Sequence, residues 1–446
     1  MANENNNLNV IASEERAKQS AASQPSLRVD VARNEAKAIS SKQRKSLIPK
    51  LRFKEFEGEW EQKRVNSFSS KLKVGFVGTC EPYYTSETEG VLLIRTGNLK
   101  GVNIELDEEK YVTKEFHNKN KKSQIQPDDL LLARHGGNGE ICRVPKEFPT
   151  ANCLNIVILR TNTEVDSVFF QLVYSTYFVQ KQIKAVTAGS TQVVINTKEI
   201  GKLKVSFPKL PEQQKIANFL TAVDTKLQQL TTKKETLEQY KKGVMQQLFS
   251  QQLRFKADDG STFPDWEFPH ANVLFKSVSD KKHNSDLPIL AITQDQGAIP
   301  RDMINYQMIV TDKSVASYKV VQVGDFIISL RSFQGGIEYS NYHGICSPAY
   351  NILRPTSENV NNDFYRIYLK TEFYIKQLQK RLEGIRDGKM ISYKYFSEIK
   401  LPFPSLKEQQ KIATYLSAID KKIEAVQTQI SNTQAFKKGL LQQMFV

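Results

Sequence analysis

FPKLPEQQKIANFLTAVDTKLQQL, residues 207–230, returns as FPSLKEQQKIATYLSAIDKKIEAV at residues 403–426. The copies align without a gap at an offset of 196 from Lys204/Lys400 to Phe249/Phe445, and about 20 of the 46 aligned positions are identical, far more than chance leaves. A second echo lies upstream of each copy, where LRFKEFEGEW (Leu51 to Trp60) is matched by LRFKADDGSTFPDW (Leu253 to Trp266). Each half therefore reads as an entry strand ending near a Trp, a body of about 140 residues and a long helix.

The 446 residues suit two to three domains, and 39% hydrophobic with 10% aromatic residues lets each body bury a core. The longest apolar runs, such as VLLI at Val91 and VVI at Val193, fall far short of the roughly 18 residues a membrane helix needs. The polar start MANENNNLNV has no apolar signal region, so a cytoplasmic protein is expected. Cys80, Cys142, Cys153 and Cys346 lack CxxC spacing and support neither a zinc site nor a disulfide framework. The five histidines show no metal spacing either. A net charge of +15 and a pI near 9.3 favour a polyanionic partner, although ribosome or membrane-surface binding fits the same balance. Residues 1–48 read as a mobile tail, with a DNA-contacting arm as the livelier alternative.

After Pro211 the apolar residues Ile216, Leu220, Val223, Leu227, Leu230, Leu237, Val244 and Leu248 form a heptad seam. The second copy repeats it through Ile412, Leu416, Ile419, Ile423, Val426, Ile430, Leu440 and Met444. The simplest partner for each seam is the other copy, paired antiparallel, with the bodies at opposite ends of a rod and a pseudo-two-fold between the halves. Lys234 falls where the seam expects an apolar residue, and Gly243 and Gly439 weaken the last turns by about 1 kcal/mol each, so kinks or fraying are expected there. The alternative is a long core helix packed on its own body. The polar flanks Gln213, Gln214, Lys215, Gln246 and Gln247, with their counterparts Gln409, Gln410, Lys411, Gln442 and Gln443, are candidates for holding partner proteins.

In the first body, GVLLIRTGNLKG and QPDDLLLAR read as strand, turn, strand, followed by HGGNGE and the apolar strand CLNIVILR. LPILAITQDQG, VQVGDFIISLRSFQGG and AYNILRP stand in the same order in the second. Each body then offers an aromatic helix, VFFQLVYSTYFVQKQIKAV or FYRIYLKTEFYIKQLQKRL, read as core rather than a base-stacking platform. A polar turn follows, TAGSTQVVIN or RDGKMISY. Both bodies are thus α/β.

This tandem layout, the LRF…W openings, the LLLARHGGNG and VGDFIISLRSFQGG turns, the GSTQVVIN loop and the twice-repeated EQQKIA helix resemble the specificity (S) subunit of type I restriction-modification systems. The resemblance spans residues 49–446 and implies a domain order: tail 1–48, target-recognition domain 49–202, long helix 203–252, second recognition domain 253–398 and second long helix 399–446. It implies double-stranded DNA as ligand, read as a bipartite asymmetric site, with two methylation (M) subunits carrying S-adenosylmethionine and motor-nuclease (R) subunits using ATP and Mg, and no cofactor on this chain. Asp128 departs from the pattern, standing where the family usually has Gly, as at Gly324, and this puts the detail of that turn in question. Two recognition modules addressing one face of a duplex must lie about one helical turn apart, roughly 34–36 Å, and a rigid antiparallel rod would fix that distance.

Arg reads guanine, and Asn or Gln reads adenine, through paired donors and acceptors in the major groove. Polar loops therefore nominate Arg95, Asn98, Arg134, His135, Asn138, Ser190, Thr191 and Gln192 in the first domain, and Gln294, Gln296, Arg331, Ser332, Gln334, Arg386 and Lys389 in the second. Each has the plainer alternative of a solvated or phosphate-contacting side chain. No GxxxxGK[ST] motif, no Asn/Asp-Pro-Pro-aromatic signature and no strand-GxGxxG-helix unit is present, so a non-catalytic subunit is expected. The rival reading is a coiled-coil scaffold whose two bodies bind proteins.

Overall fold

The computed structural model describes residues 46–134, 141–187, 196–304, 315–380 and 391–446. It divides into two units, one of residues up to 224 together with 434–446, the other of 225–433. The sequence boundaries set each long helix apart from its body, whereas the units split both helices between them. The reason lies in the seam, whose outer parts are core.

In the first unit, Ile141–Arg143, Leu130–Ala133, Ile156–Thr161 and Ser69–Val74 form an antiparallel four-stranded sheet in that order. Alternation sorts its side chains: Leu130, Leu132, Val157 and Leu159 enter one buried cluster, while Leu131, Ala133, Ile156 and Ile158 enter another. A sheet buried on both faces needs unbroken apolar strands, which is why LLLA and IVIL carry no polar alternation. The second unit repeats this with Phe275–Val278, Asn351–Pro355, Phe326–Ile328 and Glu338–Tyr339. There Phe326, Ile328 and Leu353 face one cluster, and Ile327 and Ile352 the other.

CLNIVILR, read as one strand, is two. Asn155 adopts a positive φ of 55°, a conformation Asn tolerates better than branched residues, and the chain passes there between sheets. Ala151–Leu154 runs parallel to Gly90–Arg95 in a five-stranded sheet, and Ile156–Thr161 joins the four-stranded one. The aromatic stretches also break, into Ser167–Tyr174 and Tyr177–Thr187, and into Asn362–Tyr368 and Glu372–Lys380. At each break a threonine hydroxyl donates to the carbonyl three residues back, Thr176 to Val173 and Thr371 to Tyr368, both at 2.7 Å. Their rings are core: Phe169, Phe170, Tyr174, Phe364, Tyr365 and Tyr374 are all fully buried.

The long helices span Leu210–Phe249 and Leu406–Gln443, and both continue through Gly243 and Gly439. Lys234 stays on the helix surface and pairs with Glu238 at 3.4 Å. Within the second unit the helices are antiparallel: Leu227, Leu230 and Leu237 pack against Val426 and Ile430, and Lys241 meets Asp420 at 2.5 Å. The first unit repeats that ion pair as Lys437 to Asp224, also 2.5 Å, each partner displaced by 196. Elsewhere the seam does double service. Ile216, Leu220, Leu440 and Met444 lie in the first unit's main core, and Val244, Leu248, Ile412 and Leu416 in the second's. Helix pairing and packing on a body, taken from sequence as alternatives, are both present.

The second body follows the first long helix directly, and the Leu253 amide donates to the Gln247 carbonyl at 3.1 Å. In the first unit the same bond joins Leu51 to Gln443 at 2.9 Å, between segments far apart in the chain. Phe445 lies within 6.1 Å of the Trp60 ring and 5.6 Å of Phe169. The last residues of the chain therefore complete the core of the first body.

Candidate nucleic-acid interface

The repeated EQQK motif fastens each helix to its own body. Glu212 takes a two-pronged ion pair from Arg52 of the LRF segment at 2.7 and 2.8 Å, and Glu408 takes one from Arg254 at 2.9 and 3.1 Å. Gln213, nominated as a partner contact, is buried: its amide donates to the carbonyls of Pro208 (2.9 Å) and Glu164 (3.0 Å) and accepts from the Asp166 amide (2.9 Å). Gln409 repeats this with Pro404 (2.8 Å), Asn359 (3.0 Å) and Asn361 (2.8 Å). Lys215 and Lys411 turn to the entry segments, onto Glu55 and Asp258 respectively. Gln213 and Gln409 thus dock each helix on its own body through both prongs of the amide, while Lys215 and Lys411 pair with the entry segments and keep part of their side chains exposed. Gln214, Gln246, Gln247, Gln410, Gln442 and Gln443 remain exposed.

A second duplicated device roots the strand that ends in the Arg loop. Asp129 holds Arg160 at 2.6 and 2.9 Å, and Asp325 holds Arg354 at 2.7 and 2.8 Å; both carboxylates are buried. Each also accepts from the amide three residues before it, Gln126 at 3.0 Å and Gln322 at 2.7 Å. Such planar two-pronged pairs fix geometry as well as charge. The preceding residue has positive φ in both copies, 69° at Asp128 and 97° at Gly324. The turn is therefore kept at Asp128, whose carboxylate pairs with Arg143 at 2.7 Å.

From these roots, strands run out to Arg134 and toward Arg331. In the first unit the Nε atoms of Arg95 and Arg134 are buried without a hydrogen-bond partner, and Arg95 Nη2 donates to the Glu108 carbonyl at 2.6 Å. Asn98 is turned inward, 5% exposed, accepting from the Arg95 amide and donating to the Glu105 carbonyl, both at 2.9 Å. In this position it shapes the turn. Ser332 is likewise buried and accepts from the Ser329 amide at 2.9 Å. His135, Asn138, Ser190, Thr191, Gln192, Arg386 and Lys389 lie outside the described residues.

The second unit brings two nominated loops together. The exposed Gln294 amide donates to the Arg331 carbonyl at 3.2 Å, with Arg331 and Gln334 exposed beside it. Gln296 lines a neighbouring cavity of about 440 Å³ with Asp295, Glu338, Arg366 and Lys370. Lys370 donates to the Gln294 carbonyl at 3.0 Å and pairs with Glu338 at 2.5 Å. Burial raises the Glu338 carboxyl's pKa, against the pull of Lys370. Sequence reasoning missed Arg301, whose Nη1 is buried without a partner. Burial raises the Tyr350 phenol's pKa, while the charges of Arg301 and Arg331 both act to lower it. Arg301 directly follows the strand Gly297–Pro300, and a basic residue at a strand end was the available signal. Among the described residues no group of three or more His, Cys, Asp and Glu could hold a metal, and no helix is long and apolar enough to cross a membrane.

A family model described as "Type I restriction modification DNA specificity domain" matches residues 58–239 and again 270–433. The chain belongs to this specificity family. Among curated relatives, it is 29% identical over 305 residues to the "Putative type I restriction enzyme MjaX specificity subunit" of Methanocaldococcus jannaschii, covering 65% of this chain and 69% of that one. It is 26% identical over 341 residues to the MjaVIII specificity subunit of the same organism, covering 72% and 79%. In fold it resembles the crystal structure of a type I restriction-modification S subunit from M. genitalium, with a TM-score of 0.55 at 17% identity over 90% of this chain and 99% of that one. As a type I specificity subunit the chain is a non-catalytic DNA-recognition component.

Proposed function

We propose that this specificity subunit reads a bipartite, asymmetric duplex site, one half with each body, and so directs adenine methylation and restriction by partner subunits. The observation carrying this reading is one mounting used twice under different loops. Glu212/Glu408, Gln213/Gln409 and Asp129/Asp325 repeat position for position, whereas at one and the same offset Asn98 is buried and serves its own turn while Gln294 is exposed and donates to the Arg331 carbonyl. Identical mounts with different readers suit two unlike half-sites. The net charge of +15 suits phosphate contacts that position without specifying. Two M subunits, carrying S-adenosylmethionine, would take up the exposed Gln flanks, and R subunits would bring ATP and Mg for restriction in the cytoplasm.

The test is equilibrium binding of the purified complex with M subunits to duplexes across a salt series. This reading expects log affinity to fall steeply and linearly with log salt, and one sequence to be held roughly 10³-fold or more above scrambled duplex. Sequence-blind or salt-insensitive binding would overturn it in favour of a protein-binding scaffold.

A further inference from the structure

The turn after the strand Phe326–Ile328 is held by three hydrogen bonds and a close glycine contact, yet displays a leucine to solvent. Ser332 holds the Ser329 amide at 2.9 Å, Gln379 donates to the Phe333 carbonyl at 3.0 Å, and Gln294 donates to the Arg331 carbonyl at 3.2 Å. Gly336, at φ 82°, lies so close to Leu369 that a Cβ would run into its carbonyl oxygen. Three side chains of this rigid turn face outward: Leu330, 52% exposed, Arg331 and Gln334. An exposed leucine on a flexible loop needs no explanation. Held on a fixed turn beside a guanidinium, it is a pre-set apolar contact.

We propose that Leu330 reads the C5-methyl group of a thymine in the pair next to a guanine read by Arg331. The major groove displays one apolar feature, that methyl, and Arg is the commonest partner of guanine. Neighbouring Cα atoms lie about 3.8 Å apart and successive bases about 3.4 Å along a strand, so consecutive residues on a fixed turn can address consecutive base pairs. The inference rests on the second body being a DNA reader, and it names the dinucleotide that body prefers: a T·A pair beside a G·C pair.

The test uses the full chain in its complex with M subunits and fluorescent duplexes carrying its mapped methylation motif. Each thymine is replaced in turn by deoxyuridine, which lacks only the methyl. Losing one buried methyl corresponds to about fourfold weaker binding. That loss is expected at a single thymine adjacent to a G·C pair, and Leu330→Ala should bind the unmodified duplex about as weakly while becoming indifferent to the deoxyuridine. A motif with no thymine beside guanine overturns the inference, as does deoxyuridine indifference of the unaltered chain, or Leu330→Ala with its deoxyuridine sensitivity intact. In each of those cases sequence-specific binding persists and the proposed function stands. Failure to prefer any duplex would instead remove that function itself.

Discussion

Replacing Gln409 by alanine should unfasten the second long helix from its body, although the position reads as a surface glutamine. Its side chain is fully buried and makes three hydrogen bonds, to the Pro404 and Asn359 carbonyls and from the Asn361 amide, at 2.8, 3.0 and 2.8 Å. Removing it leaves three backbone groups without their side-chain partner, at a net of about 1 kcal/mol each. The loss should therefore be about 3 kcal/mol. For a unit the size of residues 225–433 that corresponds to a midpoint roughly 6–12 °C lower. Trp266 is buried in the same core, so its fluorescence in a Trp60→Phe background follows the second unit alone. Gln410→Ala, one residue on and exposed, is the control, expected to move stability by less than about 0.5 kcal/mol. Equal effects of the two substitutions would refute the docking role of the motif.

Phe445→Ala should lower the stability of the first unit by about 3–5 kcal/mol, read from Trp60 emission in a Trp266→Phe background, because this ring closes that core from the far end of the chain. Glu338→Gln should alter the pH profile of the second unit. Burial raises the Glu338 pKa in the folded state, so the folded chain binds that proton more readily than the unfolded one. The wild-type should then gain stability relative to Glu338→Gln as pH falls from the raised value toward the ordinary value near 4.5, measured by denaturant unfolding. Arg331→Ala should cost about 1–3 kcal/mol of discrimination at one base pair in competition binding, with the other half-site read as before. Uniform weakening on all duplexes would mark a phosphate contact instead.

The duplication was legible because it is a property of sequence alone, and the heptad seam because apolar spacing reports a buried stripe directly. Strand positions followed from apolar runs, since a sheet covered on both faces cannot alternate. Less could be read from polar residues. Gln213 and Gln214 are adjacent and chemically identical, yet one is buried and the other exposed, and only the rotation of the helix against its body decides which. Asn98 and Ser332 stand in loops that look solvent-facing, but short polar side chains readily serve their own backbone, and nothing in composition separates that use from base reading. Asn155 looked like an interior strand residue because its neighbours are apolar. Its positive φ and the change of sheet became visible only with the pairing.

The most direct measurement is the methylome of cells expressing this chain with its M subunit, mapped by single-molecule sequencing against cells lacking the chain. A sequence-reading subunit with two unlike bodies predicts one new methylated-adenine motif, bipartite and asymmetric, that disappears when the chain is absent. A palindromic motif would contradict the unlike readers. No new motif, from a complex verified to contain the M subunit, would contradict DNA reading by these bodies.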